Sequence, residues 1–433
     1  MTATINTALT LASGLTFPNR LVKAAMTEGL ADSRNRVTEA HVRLYRRWAE
    51  GGLGGLITGN VQIDRNHLEQ VGNVVIGPKI STEELDGFAR WAEAAKSQGA
   101  ALVMQVSHAG RQTPKLVNPR PAAPSPVALG LPGGQFGSPR AMTPEEIQAV
   151  IEGFGRAAKV AKQTGFDGIQ VHAAHGYLLS SFLSPLANQR EDDWGGPLEN
   201  RARLLVACVK EAKAAAGPGF SVSVKLNSAD FQKGGFSFED CLGVIDILDT
   251  LNVDFVEISG GNYEQPRMMD QEGLQPAFGQ PVSESTRARE AYFLKYARAV
   301  QDRAKMPLMV TGGFRTVAAM NDALAAGEAD LIGLGRPLCV DTGAPARLLD
   351  GTQASLDQWE QKLRIGPGLL GPHSPIKIVK ALNGFGAMGW YYEQLKRLGA
   401  GGEPDEKLGV LSAFLANQKS EKAAAKAWRS SAP

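Results

Sequence analysis

Eight short, nearly unbroken apolar runs recur along the chain: RLVKAAM (20–26), GGLITGNVQI (54–63), ALVMQVSH (101–108), DGIQVHA (167–173), SVSVKL (221–226), VDFVEIS (253–259), PLMVTGG (307–313) and ADLIGLG (329–335). Runs that stay apolar rather than alternating belong to strands buried on both faces, as in a parallel sheet. Between them lie stretches with apolar positions at helical spacing. EELDGFARWAEAAKSQG runs to a glycine stop before the third strand, and TPEEIQAVIEGFGRAAKVAKQTG opens on a capping Thr-Pro-Glu-Glu before the fourth. ENRARLLVACVKEAKAAAG, SFEDCLGVIDILDTLN and TVAAMNDALAAGEA precede the fifth, sixth and eighth. Strand followed by helix, repeated eight times, predicts an α/β fold: a (β/α)8 TIM barrel over residues 1–350.

Two segments interrupt the rhythm. Residues 111–142, rich in Pro and Gly, follow the third strand, and residues 260–290 follow the sixth. On a barrel, loops after strands build the active-site face. Residues 351–433 carry no further barrel unit. LDQWEQKLRIG and SPIKIVKALNGFGAMGWYYEQLKRLGAGG read as helices packed on the barrel, and the final stretch from EKLGVLSAF becomes charged and small, predicting a frayed tail.

Composition narrows the class. A net charge of +2 on 433 residues points to no nucleic-acid or membrane partner, and no run of eighteen apolar residues suggests a transmembrane helix. The amino terminus lacks the basic start and apolar core of a signal peptide, and Cys208, Cys241 and Cys339 are scattered, with no iron–sulfur spacing. These features fit a cytoplasmic protein whose partner is a small-molecule substrate, with homo-oligomerisation left open.

Barrel chemistry comes from the carboxyl ends of strands. Those ends carry Ala25, Met26 and Thr27, then Gly59, Gln105, the His172–His175–Tyr177 group, Lys225, Gly312-Gly313 and Gly335-Arg336. Glycines after strands 7 and 8 allow backbone N–H groups to approach a phosphate, and Arg336 adds a fork of donors. No GxGxxG or P-loop accompanies them, so the phosphate does not belong to a Rossmann-bound nucleotide. Lys225 admits three readings: a cation against a ring nitrogen, a Schiff-base nucleophile, or a buried ion pair. The two histidines, among only six in the chain, admit a metal site, a packed structural pair, or two donors aimed at one substrate oxygen. The spacing of three without an intervening carboxylate is not the zinc-protease pattern.

The stretch HAAHGYLLSSFLSPLANQREDDWGGPLENR resembles the signature of the old yellow enzyme family. The likeness extends from FPNRLVKAAMT through QVSHAGRQ, KLNSADF and VTGGFRT to LIGLGRPL. That family implies a TIM barrel with noncovalent FMN across its mouth and NADPH or NADH as hydride donor. It implies Ala25, Met26 and Thr27 along the flavin and Gly59 beside it. Gln105 falls on the pyrimidine edge and Lys225 at N1. Gly312, Gly313, Gly335 and Arg336 fall on the phosphate, and metal is not called for. His172 and His175 would hold a carbonyl or nitro oxygen, and Tyr177 would donate a proton. The implied activity is reduction of activated C=C bonds by a ping-pong route, with an NAD(P)H:quinone or oxygen oxidoreductase as the alternative. Departures from the family pattern are VKAAMT where many members have Pro before the Met, Lys225 in place of the commoner Arg, and Trp194 in place of Tyr.

Overall fold

The structure, a computed structural model, describes residues 2–131, 134–260, 294–372 and 374–431. All eight apolar runs form strands: β1 Leu21–Lys23, β2 Gly55–Ile57, β3 Ala101–Ser107, β4 Gly168–Ala173, β5 Ser221–Asn227, β6 Val256–Ser259, β7 Leu308–Thr311 and β8 Leu331–Leu334. Every neighbouring pair is parallel. β8 pairs with β1 and β2 with β3, so the sheet closes on itself.

Among the described residues, eight helices surround it: α1 Glu39–Glu50, α2 Thr82–Lys96, α3 Pro144–Gln163, α4 Leu198–Ala216, α5 Phe238–Thr250, α6 Leu294–Gln301, α7 Val317–Ala325 and α8 Ala344–Leu349. Ser81, Thr143 and Ser237 each accept a backbone N–H three residues on and form capping boxes, which is why α2, α3 and α5 start where the sequence predicts. The apolar pattern did not single out α1, α6 or α8. Arg43, Arg46 and Arg47 make α1 polar on average and mask its apolar positions, although Val42, Leu44, Tyr45 and Trp48 are buried, and the other two helices are short for a periodicity to register.

Two apolar cores result. One lies between strands and helices and holds most of the buried chain. The other fills the barrel's lower interior, where Val22, Ile57, Val103, Phe255, Met309 and Leu331 meet Leu11 and Phe17 from an amino-terminal hairpin, Leu9–Thr10 with Thr16–Phe17. Phe17 meets Phe255 edge-on at 6.2 Å. The floor is thereby plugged with hydrocarbon, and polar side chains collect at the opposite, carboxyl-terminal end.

Within the 111–142 insertion, Ala122–Ala123 pairs with Arg140–Ala141. The second predicted loop, 260–290, lies outside the described residues apart from Gly260. In the extension, LDQWEQKLRIG yields only the short helix Trp359–Lys362, followed by α9 Lys377–Gly399 and α10 Val410–Ser430. α9 packs on α1 and on the 3-10 turn Arg336–Cys339, and α10 packs on α9. The tail predicted to fray is held in place through Ser431. Trp428 Nε1 donates to Asn35 Oδ1 at 2.9 Å, and the Arg65 guanidinium lies over the Trp428 ring at 5.0 Å. Composition alone could not anticipate one anchoring indole at the end of a charged helix.

Candidate active site

At the mouth, polar side chains from four adjacent strands form one connected chain. Gln105 of β3 donates to Gln170 Oε1 of β4 at 2.7 Å, and Gln170 donates to Glu257 Oε2 of β6 at 2.9 Å. Glu257 Oε1 receives Lys225 Nζ of β5 at 2.7 Å. All four are buried. Their register makes the meeting possible, since Gln105 pairs with Gln170 and Lys225 with Glu257 across neighbouring strands. An ammonium held this closely by a carboxylate is not poised as a Schiff-base nucleophile.

A second buried network supports the end of β1. Lys23 Nζ donates to Glu28 Oε1 at 3.1 Å and to the Ile57 carbonyl at 2.8 Å, and Tyr45 bonds the same Glu28 oxygen. The Gly59 N–H donates to Glu28 Oε1 at 3.1 Å. A Cβ at Gly59 would stand 2.1 Å from Glu28 Oε2 and 2.4 Å from the Met26 carbonyl. Only glycine therefore permits this approach, and the turn carrying Ala25, Met26 and Thr27 rests on it. Thr27 donates to Glu69 Oε2 at 2.8 Å, and Asn60 donates to the same oxygen at 3.1 Å.

The histidine pair sits where β4 ends. His175 adopts φ 62° and the following Gly176 φ 80°, a left-handed turn that is uncommon for a residue with a Cβ. Two contacts hold it there: its N–H donates to Asn227 Oδ1 at 3.0 Å, and its carbonyl accepts from Gln112 Nε2 at 3.0 Å. The turn swings His175 back against His172. Ser107 Oγ lies 3.2 Å from His172 Nδ1, His172 Nε2 lies 3.2 Å from His175 Nδ1, and His175 Nε2 lies 2.7 Å from Ser259 Oγ. Burial, and then the charge of Lys225, push both imidazoles well below the usual histidine range. Each is therefore neutral and carries one N–H. The Tyr177 ring is centred 4.9 Å from that of His172. Tyr177 is buried and opens the short helix Leu178–Leu183.

A different trio, Asp64, His67 and His108, brings three potential metal-ligand atoms within 4.8 Å of one another. His67 Nε2 accepts the Ala122 N–H at 2.8 Å, so its proton is on Nδ1, 2.5 Å from Asp64. That nitrogen is occupied, and the trio fastens the 111–142 insertion rather than offering an open ligand set.

The ends of β7 and β8 complete the rim. Gly312 and Gly313 have φ of 116° and 81°, conformations that suit glycine and turn backbone N–H groups away from the ladder. A Cβ on Gly335 would stand in ordinary contact with Met26, Sδ at 3.7 Å, so the end of β8 is not crowded by the described residues. Arg315 follows closely, and its Nε is buried without a partner among the described residues. Glycine-turned backbone donors and an orphaned guanidinium nitrogen suit an anionic phosphate.

Residues 8–354 match the NADH:flavin oxidoreductase / NADH oxidase family. The chain belongs to that family, which is the family of the old yellow enzymes. It is 38% identical to an NADH-dependent flavin oxidoreductase of Neonectria sp. over 356 residues, 78% of this chain and 46% of that one. It is also 38% identical to a counterpart from Aspergillus parasiticus over 334 residues, 74% of this chain and 73% of the other. The chain thus spans about half of the first relative and about three quarters of the second. The old yellow enzyme homologue from Zymomonas mobilis shares the fold, with a TM-score of 0.67 at 24% identity over 84% of this chain and 97% of the other. The family's cofactors are FMN and a nicotinamide hydride donor, and the rim just described fits FMN.

Sequence reasoning named Gln105 and Lys225 but not Gln170, Glu257, Glu28, Glu69, Ser107 or Ser259. A signal for the first two was present: Gln170 lies among the apolar residues of DGIQV and Glu257 among those of VDFVEIS, as Gln105 and Lys225 do in their runs. A polar or charged group in the middle of a fully buried strand needs a partner, and these four residues partner one another. No helix among the described residues is long and apolar enough to cross a membrane.

Proposed function

We propose that this flavin oxidoreductase reduces the C=C bond of activated alkenes, α,β-unsaturated carbonyl or nitro compounds, with NADH or NADPH in a ping-pong cycle. Bound FMN supplies hydride exchange between the nicotinamide and the alkene. Ala25, Met26, Thr27, Gly59, Gln105 and Lys225 are the residues to hold its ring, and Gly312, Gly313, Gly335 and Arg336 its phosphate. The observation that carries this reading is the neutral His172–His175 pair with the Tyr177 ring beside it, all three buried at the end of β4.

A chain of two neutral imidazoles between two serine hydroxyls can run in either direction, and in both it uses each ring's single N–H. A substrate oxygen enters by replacing a link in that chain. An imidazole N–H then polarises the carbonyl or nitro group, as a preorganised donor does in an oxyanion hole. Neutrality matters here because an imidazolium would need a counter-anion in this buried site. Tyr177, stacked obliquely near His172, is placed to give a proton to the substrate's α-carbon as general acid. Lys225 stays paired with Glu257 throughout and supplies a fixed positive field rather than a nucleophile.

Anaerobic reduction with NADH and with NADPH, followed by rapid mixing with enones, nitroalkenes and quinones, tests the reading. Enones and nitroalkenes are expected to reoxidise the protein with formation of saturated product. Reoxidation by quinones or oxygen alone would replace it with the acceptor-oxidoreductase reading, which the family description also accommodates.

A further inference from the structure

The family match ends at residue 354, yet the chain beyond it turns back onto the phosphate end of the mouth. Trp359 stacks on Trp390 with ring centroids 5.5 Å apart, and Trp390 is wholly buried with its Nε1 donating to the Leu408 carbonyl at 2.9 Å. Glu360, beside Trp359, accepts from Arg315 Nη2 at 2.5 Å. Arg315 lies on the loop that carries Gly312 and Gly313 after β7. α9 in turn lies against the Arg336–Cys339 turn after β8. The extension is therefore attached to both phosphate-bearing loops of the barrel.

Tyr391, next to Trp390, places its hydroxyl in this seam. Its Oη is buried and has no hydrogen-bond partner among the described residues. Burial raises its pKa, and the charged side chains that act on it are Arg336, Glu360 and Arg315. At neutral pH it is a protonated donor with nothing to donate to. A buried hydroxyl left unsatisfied disfavours the fold. Glu360, the nearby carboxylate, is already engaged by Arg315. The missing acceptor is an anion with several oxygens. A phosphate monoester brings close to two negative charges and three strong acceptors. The charge of Arg315 is already offset by Glu360. Neutral donors must supply the rest, and the phenol is one.

We propose that the carboxyl-terminal extension completes the cofactor site: Tyr391 donates a hydrogen bond to the FMN phosphate, and the Arg315–Glu360 pair fixes the seam in which it does so. The proposal rests on the assignment of FMN to this mouth, and the test separates the two.

Flavin-free protein is titrated with FMN and with riboflavin, which lacks the phosphate, for wild type and Tyr391→Phe. The wild type is expected to bind FMN far more tightly than riboflavin, and equal affinity would overturn the phosphate assignment itself. Tyr391→Phe is expected to weaken FMN about 10- to 100-fold, the range for one hydrogen bond to a charged group, with riboflavin within about twofold of wild type. An unchanged FMN affinity, or an equal loss for both flavins, overturns the role of Tyr391 alone. Thermal melts give a second readout. Without flavin, Tyr391→Phe is expected to melt at or above the wild-type temperature, because an unsatisfied hydroxyl is gone, while the rise on adding FMN shrinks. A lower melting temperature without flavin, combined with an unchanged FMN-induced rise, would make Tyr391 a packing residue and overturn the proposal.

Discussion

Lys225 on β5 and Glu257 on β6 are register partners whose side chains meet at 2.7 Å with both groups buried. The pair has no net charge, so the Lys225 cation is tempered by an anion on the next strand, and Gln170 ties that anion to Gln105. A change at any of the four side chains is therefore felt by the others.

Opposite shifts of the flavin potential follow from this pairing. Lys225→Met leaves a carboxylate and is expected to lower the midpoint potential, whereas Glu257→Gln leaves an uncompensated ammonium and is expected to raise it. For a two-electron couple about 30 mV corresponds to roughly 1.4 kcal/mol. Each single change should also cost stability, about 3–5 kcal/mol, because a lone buried charge remains, and the double change Lys225→Met with Glu257→Leu should recover most of it. Potentiometry on flavin-saturated protein and urea unfolding check both statements. Shifts of the same sign would place the pair away from the flavin.

The second prediction concerns pH. His172 and His175 are held well below the ordinary range, His41 is pushed down to about 4 and His108 to about 3, in each case chiefly by burial. In the unfolded chain each titrates near 6.5. Below that value the unfolded state binds protons that the folded state refuses, so stability falls as pH drops below about 6.5 and is flat above it with respect to these groups. Each contributes up to about 1.4 kcal/mol per pH unit until its folded pKa is reached. Urea unfolding between pH 8 and pH 5 should show the decline, and His172→Asn with His175→Asn should reduce its slope. An unaltered slope would mean that the pair is protonated when folded.

Tyr177→Phe separates the two half-reactions. Flavin reduction by NADH or NADPH should be nearly unaffected, because the ring and its packing near His172 are retained. Reoxidation by a simple enone should slow by about 10²–10⁴, the usual contribution of a general acid. Quinones should be spared, since their reduced oxygens take protons from water. Stopped-flow traces of both halves decide the matter, and equal slowing of the two would assign Tyr177 to positioning.

Trp428→Ala should release the end of α10. The indole's bond to Asn35 and its stacking under Arg65 are lost together, and nothing else in that last turn is strongly apolar. Limited proteolysis with mass analysis should show early cleavage between about 420 and 431 in the variant and resistance in the wild type, with the barrel intact in both.

How much of this was legible in advance follows from the range over which each feature is encoded. The eight strands, five of the helices and the TIM barrel could be read from the chain because burial on both faces writes a continuous apolar run, and a capping serine or threonine writes its own helix start. The strand-end candidates could be read because barrel topology places the ends of all parallel strands on one face. What the chain could not state is which side chain meets which. Lys225 and Glu257 are 32 positions apart, and only strand register brings them into contact. The left-handed turn at His175 depends on Asn227 and Gln112, and it alone sets the two imidazoles against each other. The extension is the clearest case. Its helices are locally encoded, but the packing of α9, which carries Tyr391, on the Arg336–Cys339 turn goes with Trp359 stacking on Trp390 and Glu360 reaching Arg315. Those contacts span tens of residues and leave no local pattern, because a buried contact constrains shape and polarity at both ends without marking either as a partner of the other.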